Sequence, residues 1–461
     1  MTREEFLNFA GEWFNNMNDP KTRNYSLSKL EEMAHQAGMQ MGLKLLEGRL
    51  ADDPRRDTRQ QETCPDCNSK LRIQNTVAKR TLKTILGDVP YQRPYCVCDR
   101  CGYTSAPMDR ALGIPARGPS VTVLQKICHA GVVARSFEDG REILKVHSGL
   151  QMSRKHVRRI CEGEGKRLVQ QQAVTVRTLQ EGRFASNPQE HPGLLVLTCD
   201  GGRIQTRHAQ KEDRWKEDKV GAVYDAVAEP DPYACSKTYK GAKARIKTYV
   251  ATMQSWEQFG WIFCMEAWLR GYPNASEKLF LADGAKTIRE IKNLHFPDTV
   301  FILDWAHALE HLNHCAQAAF GAGTLAAQSW YQEHKELLWN GKIVAIIAEL
   351  EKLSARLGAP TSQDNDFSPR KILHRDAYSY FPNNLDAMDY PSFRAKGWPT
   401  GSGVGESAVK QFALRLKGSE KFWNIRDIGA EEMLALCALY YSEDDRWNHY
   451  WNLRNQFDKR A

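Results

Sequence analysis

Three short stretches of the chain place an acidic residue where it could do metal-dependent chemistry. TCDGG puts Asp200 at the end of an apolar run, LADGA puts Asp283 at the end of another, and TGSGVGESAVKQFALRLKGSEKFW sets Glu406 after the closely spaced Gly401, Gly403 and Gly405. An isolated Asp-Gly is commonly a turn and nothing more, so neither Asp carries the argument alone. Each ends a run that reads as a strand, however, and Glu406 opens what reads as a helix able to pack beside the same sheet edge. Gathered at one point, three carboxylates repel strongly unless cations neutralise them, and hard oxygen ligands suit Mg²⁺ or Mn²⁺. Two such ions roughly 3.5–4 Å apart activate a water and stabilise the leaving oxygen of a phosphodiester. The three glycines would let backbone approach the crowded site. Lys410 and Lys417 fall within about 40° of Glu406 on a helix of 3.6 residues per turn, where a phosphate backbone would meet both. An ordinary i,i+4 pair accounts for Glu406 and Lys410 but leaves the glycines unexplained.

A second constellation is built from thiols. CPDC supplies Cys64 and Cys67, CDRC supplies Cys98 and Cys101, and thirty residues separate the pairs. Two such knuckles can offer four thiolates to one tetrahedral Zn²⁺, and a segment with little core of its own gains folding energy from it. Free thiols are the plain alternative, and Cys96 could replace Cys98 as a ligand. A third pattern, His307-Ala-Leu-Glu310-His311, matches a zinc-protease signature, in which two His at i and i+4 would hold one metal.

The basic residues form separate groups. Ser153 is a natural N-cap for a helix carrying Arg154, Lys155, Arg158, Arg159, Lys166 and Arg167, and the Ser148-Gly149 turn before it permits a helix-turn-helix reading; a solvated basic face is the equal alternative. KTYKGAKARIKT brings Lys240, Lys243 and Lys247 into one stretch without an acid. Over the whole chain 64 Lys and Arg face 56 Asp and Glu, and a net charge of +8 leans toward an anionic partner. No cleavable leader and no bilayer-length apolar run is visible, so a cytoplasmic, nucleoid-associated protein with no membrane partner is expected.

These residues must be positioned by several domains, which the 461-residue length allows. SKLEE, from Ser28, is a capping-box pattern, and residues 1–60 read as a helical N-terminal region. A zinc-ribbon-like segment follows over 61–115, then a helical, helix-turn-helix-like region over 116–185. The texture then changes to strands at 193–207, 219–228 and 244–254. SWEQFGWIFCMEAWLRG reads as a helix, EKLFLADG as a buried strand, AKTIREIKNL as a helix and DTVFILD as a strand, giving the order β-β-β-α-β-α-β. Helices follow from about 305 to 358, and the Glu406 helix comes after them.

This strand order with these three acids resembles the RNase H-like fold of DDE transposases. TCDGGRIQTR, LADGAKTIREI, FILDWAHALEHL and GSGVGESAVKQFALRLKGSEKFW are similar to the successive signatures of the Kra-type insertion-sequence (ISKra-like) transposases, relatives of the Mutator-like group. The cysteine segment, ending LGDVPYQRPYCVCDRCGYTSAPMDRALG, is similar to theirs too, and the resemblance spans roughly 60–455. It implies a multidomain α/β protein with an RNase H-like mixed-sheet catalytic core over 190–312 and 399–461, interrupted by a helical insertion over 313–398. It also implies that Asp200, Asp283 and Glu406 are catalytic acids holding two Mg²⁺ or Mn²⁺ ions, with Asp304 and His307 in support as the family's Asp-x-x-His feature. The activity implied is cleavage of double-stranded DNA at transposon ends and strand transfer to a target by in-line transesterification, performed by a homo-oligomer on DNA. Two departures stand out: Gly405 occupies a place where a larger apolar residue is common, and SEKFW lacks the usual Gly before Trp423. A domesticated zinc-ribbon DNA-binding regulator that no longer cuts is the non-enzymatic alternative.

Overall fold

The computed structural model describes residues 2–56, 63–184, 191–208, 210–230, 239, 241–418, 421–424 and 429–457. The chain divides into two compact units, Met1–Ile160 with Arg446–Ala461, and Cys161–Asp445. Both are mixed α/β. Among the described residues no helix is long and apolar enough to cross a membrane.

The first unit opens with helices Arg3–Met17 and Leu27–Ala51. The second starts earlier than the SKLEE pattern implies. Ser26, in extended backbone, accepts a hydrogen bond from the Lys29 N–H and takes the capping role expected of Ser28. A hairpin of β1 (Arg72–Thr84) and β2 (Gly87–Val97) follows, extended by the short antiparallel β3 (Thr104–Ser105). Helices Val121–Val133 and Phe137–Ser148 then pack together, and Gly149 ends the latter in the left-handed conformation that suits glycine. Ser153 Oγ accepts from the His156 N–H, starting helix Arg154–Gln180, as its sequence position implies.

The two cysteine knuckles are built alike. Cys64 N–H donates to Ser69 O and Cys98 N–H to Tyr103 O, while Asn68 and Gly102, each one past the second Cys of its knuckle, take positive φ of 56° and 75°. The tight turns aim four sulfurs inward. Sγ of Cys64 and Cys101 lie 3.5 Å apart, those of Cys67 and Cys98 3.4 Å apart, and all four fall within 4.8 Å of one another. Four thiolates on one tetrahedral zinc would sit about 3.8 Å apart at Zn–S distances of ~2.3 Å, so the set fits that ion. Cys98, not Cys96, belongs to it; Cys96 lies within β2, where its backbone pairs with Ile73 and Ser105.

The second unit holds a five-stranded sheet in the order β6-β5-β4-β7-β8. β4 (Leu194–Gln205), β5 (Trp215–Val227) and β6 (Lys243–Thr252) form an antiparallel meander; β7 (Glu277–Ala282) and β8 (Val300–Leu303) run parallel to β4. Helices Trp256–Leu269 and Lys286–His295 supply the crossovers, so the chain order is the β-β-β-α-β-α-β read from the sequence. Leu195, Val196, Leu197, Leu279, Phe280 and Leu281 are fully buried, as a central strand pair covered on both faces requires. Each such side chain contributes about 1.5–3 kcal/mol. β5 begins four residues before the apolar run that reveals it, because its charged opening, Lys216 to Lys219, pairs with the Gly201–Ile204 end of β4.

Metal analysis of the purified chain should find about one zinc per molecule, and replacing Cys64 and Cys98 together by Ser should abolish it. Zinc retained in that double variant would place the metal on other residues.

Candidate functional site

β4 and β7 pair in constant register, Leu194 with Glu277 through Thr198 with Leu281. Continued by two residues, that register sets Asp200 level with Asp283, which follows the last residue of β7; Asp200 itself lies in the middle of β4 and not at its end as the sequence implies, because β4 runs on to Gln205 paired with β5. Asp200 Oδ1 accepts from the Gly201 N–H at 2.6 Å, and Asp283 Oδ1 accepts from Ala285 N–H at 3.0 Å, an Asx turn that steers the chain into the next helix.

Glu406 arrives from helix Gly403–Leu416, which packs on β4 and β5. Gly405 is buried there, and a Cβ on it would lie 2.7 Å from Thr198 Oγ1. Thr198 stands two residues before Asp200 and so on the same sheet face. The helix therefore crosses the sheet next to Asp200, and its following residue is Glu406. The other two glycines play no such part: a Cβ on Gly401 or Gly403 would meet nothing within 4 Å.

Asp304 fixes this arrangement. Its carboxylate is fully buried; one oxygen accepts from the His307 N–H at 2.9 Å, capping helix Trp305–Phe320, and the other accepts from the N–H of Ser402, the N-cap of the Glu406 helix. Its own N–H donates to Ala282 O, and Trp305 N–H donates to Thr400 O. One residue thus ties its neighbours together, its carboxylate holding two helix starts and its backbone N–H the end of β7.

The electrostatics register the crowding. Burial pushes the Asp200 carboxyl up from the usual carboxylate range; the Gly201 N–H and His307 pull it back, while Asp283 and Glu406 add to the rise. Glu406 is partly exposed, with Lys410 Nζ 3.3 Å away. Among the described residues the cysteine set is the one group of three or more Cys, His, Asp or Glu with ligand atoms mutually within 4.8 Å, so the three acids converge without touching. A cleft of about 450 Å³ opens beside two of them, lined by Asp200, Arg203, Glu217, Trp256, Asp283 and Thr287 and not by Glu406.

The His-x-x-Glu-His pattern does not assemble a metal site. His311 turns into the helical region, where its Nδ1 is 3.1 Å from Asp376 Oδ1 and its ring stacks on Tyr380 at 3.5 Å. His307 instead lies toward Asp200, with Glu310 3.7 Å from Nδ1.

The basic residues separate into two classes. Arg154, Lys155, Arg158 and Arg159 are exposed on the first two turns of their helix, and Lys243 is exposed on the edge strand β6. Lys247 pairs with Glu443 at 2.8 Å, and Lys417 Nζ lies 3.8 Å from the carboxylate of Asp218. Asp218 itself is 1 % exposed beneath Gly202, where burial raises its pKa and Lys417 opposes the rise. Lys240 lies outside the described residues. Asp218 and the Glu217–Trp256 wall escaped sequence reading; a charged residue opposite Gly202 in the strand pairing was the available signal.

No protein-family description and no curated protein matches this chain. Among solved structures it is similar to the Drosophila P element transposase strand transfer complex, at 8 % identity over 73 % of this chain and 95 % of that one, with a TM-score of 0.33.

The close approach at Gly405 is open to direct test. Gly405→Val should destabilise the protein by about 1–3 kcal/mol through overpacking against Thr198, measured by urea unfolding, while Gly403→Ala should not. Equal midpoints for the two variants would show that helix and strand do not meet as closely as described.

Proposed function

We propose that the chain is a DDE-type DNA transposase of the Kra-type insertion-sequence group, which binds transposon ends and performs metal-dependent strand cleavage and strand transfer. The observation that carries this reading is the convergence of Asp200, Asp283 and Glu406. Two acids stand level on parallel neighbours, Asp200 within β4 and Asp283 just past β7, and the third comes from a helix laid across β4. A three-stranded antiparallel meander continued by two parallel strands, ordered as here, is the arrangement of the RNase H-like fold. In this reading 190–312 and 399–461 form the catalytic core and 313–398 a helical insertion.

The donor set suits hard divalent cations. The residues are all carboxylates, partly solvated and mutually repelling, with no soft ligand among them. Asp200, Asp283 and Glu406 would hold two Mg²⁺ or Mn²⁺ ions, which when bound activate the attacking oxygen and stabilise the leaving one. The protein's own contribution is positional. The strand register fixes two carboxylates, Asp304 fixes the helix that brings the third, and His307 offsets part of the negative charge around Asp200. An oxygen of water, or a DNA 3′ hydroxyl, attacks phosphorus in line; the opposite P–O bond breaks, the attacking group's proton passes to solvent, and the leaving 3′ oxygen takes one from solvent to become a hydroxyl. Arg154, Lys155, Arg158, Arg159 and Lys243 are exposed cations that phosphates could reach, while Lys247, Lys410 and Lys417 stand beside carboxylates.

Asp200→Ala, Asp283→Ala and Glu406→Gln should each reduce Mg²⁺-dependent cleavage of transposon-end DNA to background while leaving DNA affinity and thermal unfolding near wild type. A variant that cuts at the wild-type rate would remove its residue from the site. DNA binding without cutting by the wild-type chain would favour the regulator.

Replacing Arg154 and Arg158 by Ala should weaken terminal-repeat DNA more than random DNA, by about 1–3 kcal/mol for each base edge that is no longer read. Unchanged affinity for both DNAs across a salt series would make that helix a solvated face.

A further inference from the structure

The cleft beside the carboxylates extends well past them. From Asp200 and Asp283 it runs over Gly201 to a wall formed by Glu217, Arg203 and Trp256, with Thr287 and Ile288 opposite. Its volume of about 450 Å³ falls within the ~300–1,000 Å³ of small-ligand sites. Gly201 forms part of it: a Cβ there would lie 3.4 Å from Glu217 Oε1 and 3.6 Å from Trp256 Cζ2, so carboxylate and indole flank one bare stretch of backbone.

The wall is held from behind. Lys219 is 4 % exposed, with Nζ 3.2 Å from Glu217 Oε2 and 5.6 Å from the Trp256 ring centroid. A buried ammonium is costly unless paired, and this one engages one oxygen of a carboxylate that is itself about half exposed. Glu217 is thereby fixed with its other oxygen beside Gly201, available as an acceptor. Arg203 is its cross-strand partner in the β4–β5 pairing and adds an exposed cation to the same wall. Trp256 is the first residue of its helix and stands edge-to-face on Phe259 at 5.5 Å, which holds the indole in place.

An aromatic ring, a fixed carboxylate acceptor and a guanidinium around a slot that opens onto the proposed reaction centre match one ligand chemistry. Indole stacks on any base. A carboxylate accepts from the exocyclic amine of cytosine but finds only a carbonyl at the same position of thymine. We infer that this cleft seats the nucleobase next to the scissile phosphate and selects a base with an exocyclic amino group, cytosine over thymine. The inference rests on the DNA-cleaving reading of the neighbouring acids.

The test uses the full-length Glu406→Gln chain, to prevent turnover, with oligonucleotides identical except for a terminal dC, dT or abasic unit. Fluorescence anisotropy should show dC bound about tenfold more tightly than dT, and dT more tightly than the abasic end. Adding Trp256→Ala should bring dC down to the abasic level. Glu217→Gln, at a half-exposed side chain, should level dC and dT while keeping both above abasic; circular dichroism checks that both variants are folded. Equal affinity for all three ends overturns the inference and leaves the cleavage reading standing. A chain that binds none of them overturns both.

Discussion

Carboxylates brought together in a partly buried place raise one another's free energy, and a fold that gathers three of them must hold them there by other means. In this chain the means is backbone geometry. Asp200 and Asp283 are level because β4 and β7 keep one register from their first pair to their last. Glu406 joins them because Gly405 lets a helix lie against Thr198. Nothing in that arrangement requires the acids to attract one another; burial first, and then Asp283 and Glu406, push the Asp200 carboxyl up.

What keeps the third acid in register is a fourth. Asp304 is buried and fully engaged by N–H donors from two helix starts, so its charge is spent on structure. It lies at the end of β8, one strand beyond Asp283, and ties that strand end to Ser402, four residues before Glu406. The helices between, from Trp305 to Lys396, form a body that shares the sheet's hydrophobic core, with Leu312, Phe381 and Tyr390 buried in the same cluster as Leu195 and Phe280. Asn384 and Tyr380 from that body close over Gly284, where a Cβ would lie 2.5 Å from Asn384 Nδ2. The glycine after Asp283 is thus a point of close approach as well as the sequel to a strand.

Much of this was legible in the sequence. The chain order of strands and helices followed from short apolar runs bounded by turn or charged residues, two of them ending in Asp-Gly, and the cysteine pairs announced a four-sulfur cluster by spacing alone. What was not legible depended on partners far apart in the chain. Lys417 looks like a phosphate ligand until Asp218 is seen beneath it, and Lys247 until Glu443 is. The three glycines before Glu406 look equivalent, yet only Gly405 meets another strand. His311 reads as a partner for His307 at helical spacing, but Asp376, sixty-five residues away, claims it. Periodicity reveals elements; it does not reveal which of their charges neutralise one another.

Whether Asp200, Asp283 and Glu406 form one divalent-cation site decides the proposed chemistry. Electron paramagnetic resonance of Mn²⁺ titrated into the zinc-loaded, full-length chain tests it without relying on a DNA substrate. The expected result is bound Mn²⁺ that Mg²⁺ displaces and that is lost in Asp200→Asn, with the zinc content unchanged. Mn²⁺ bound equally well by Asp200→Asn, or none bound by wild type with or without DNA, would contradict it.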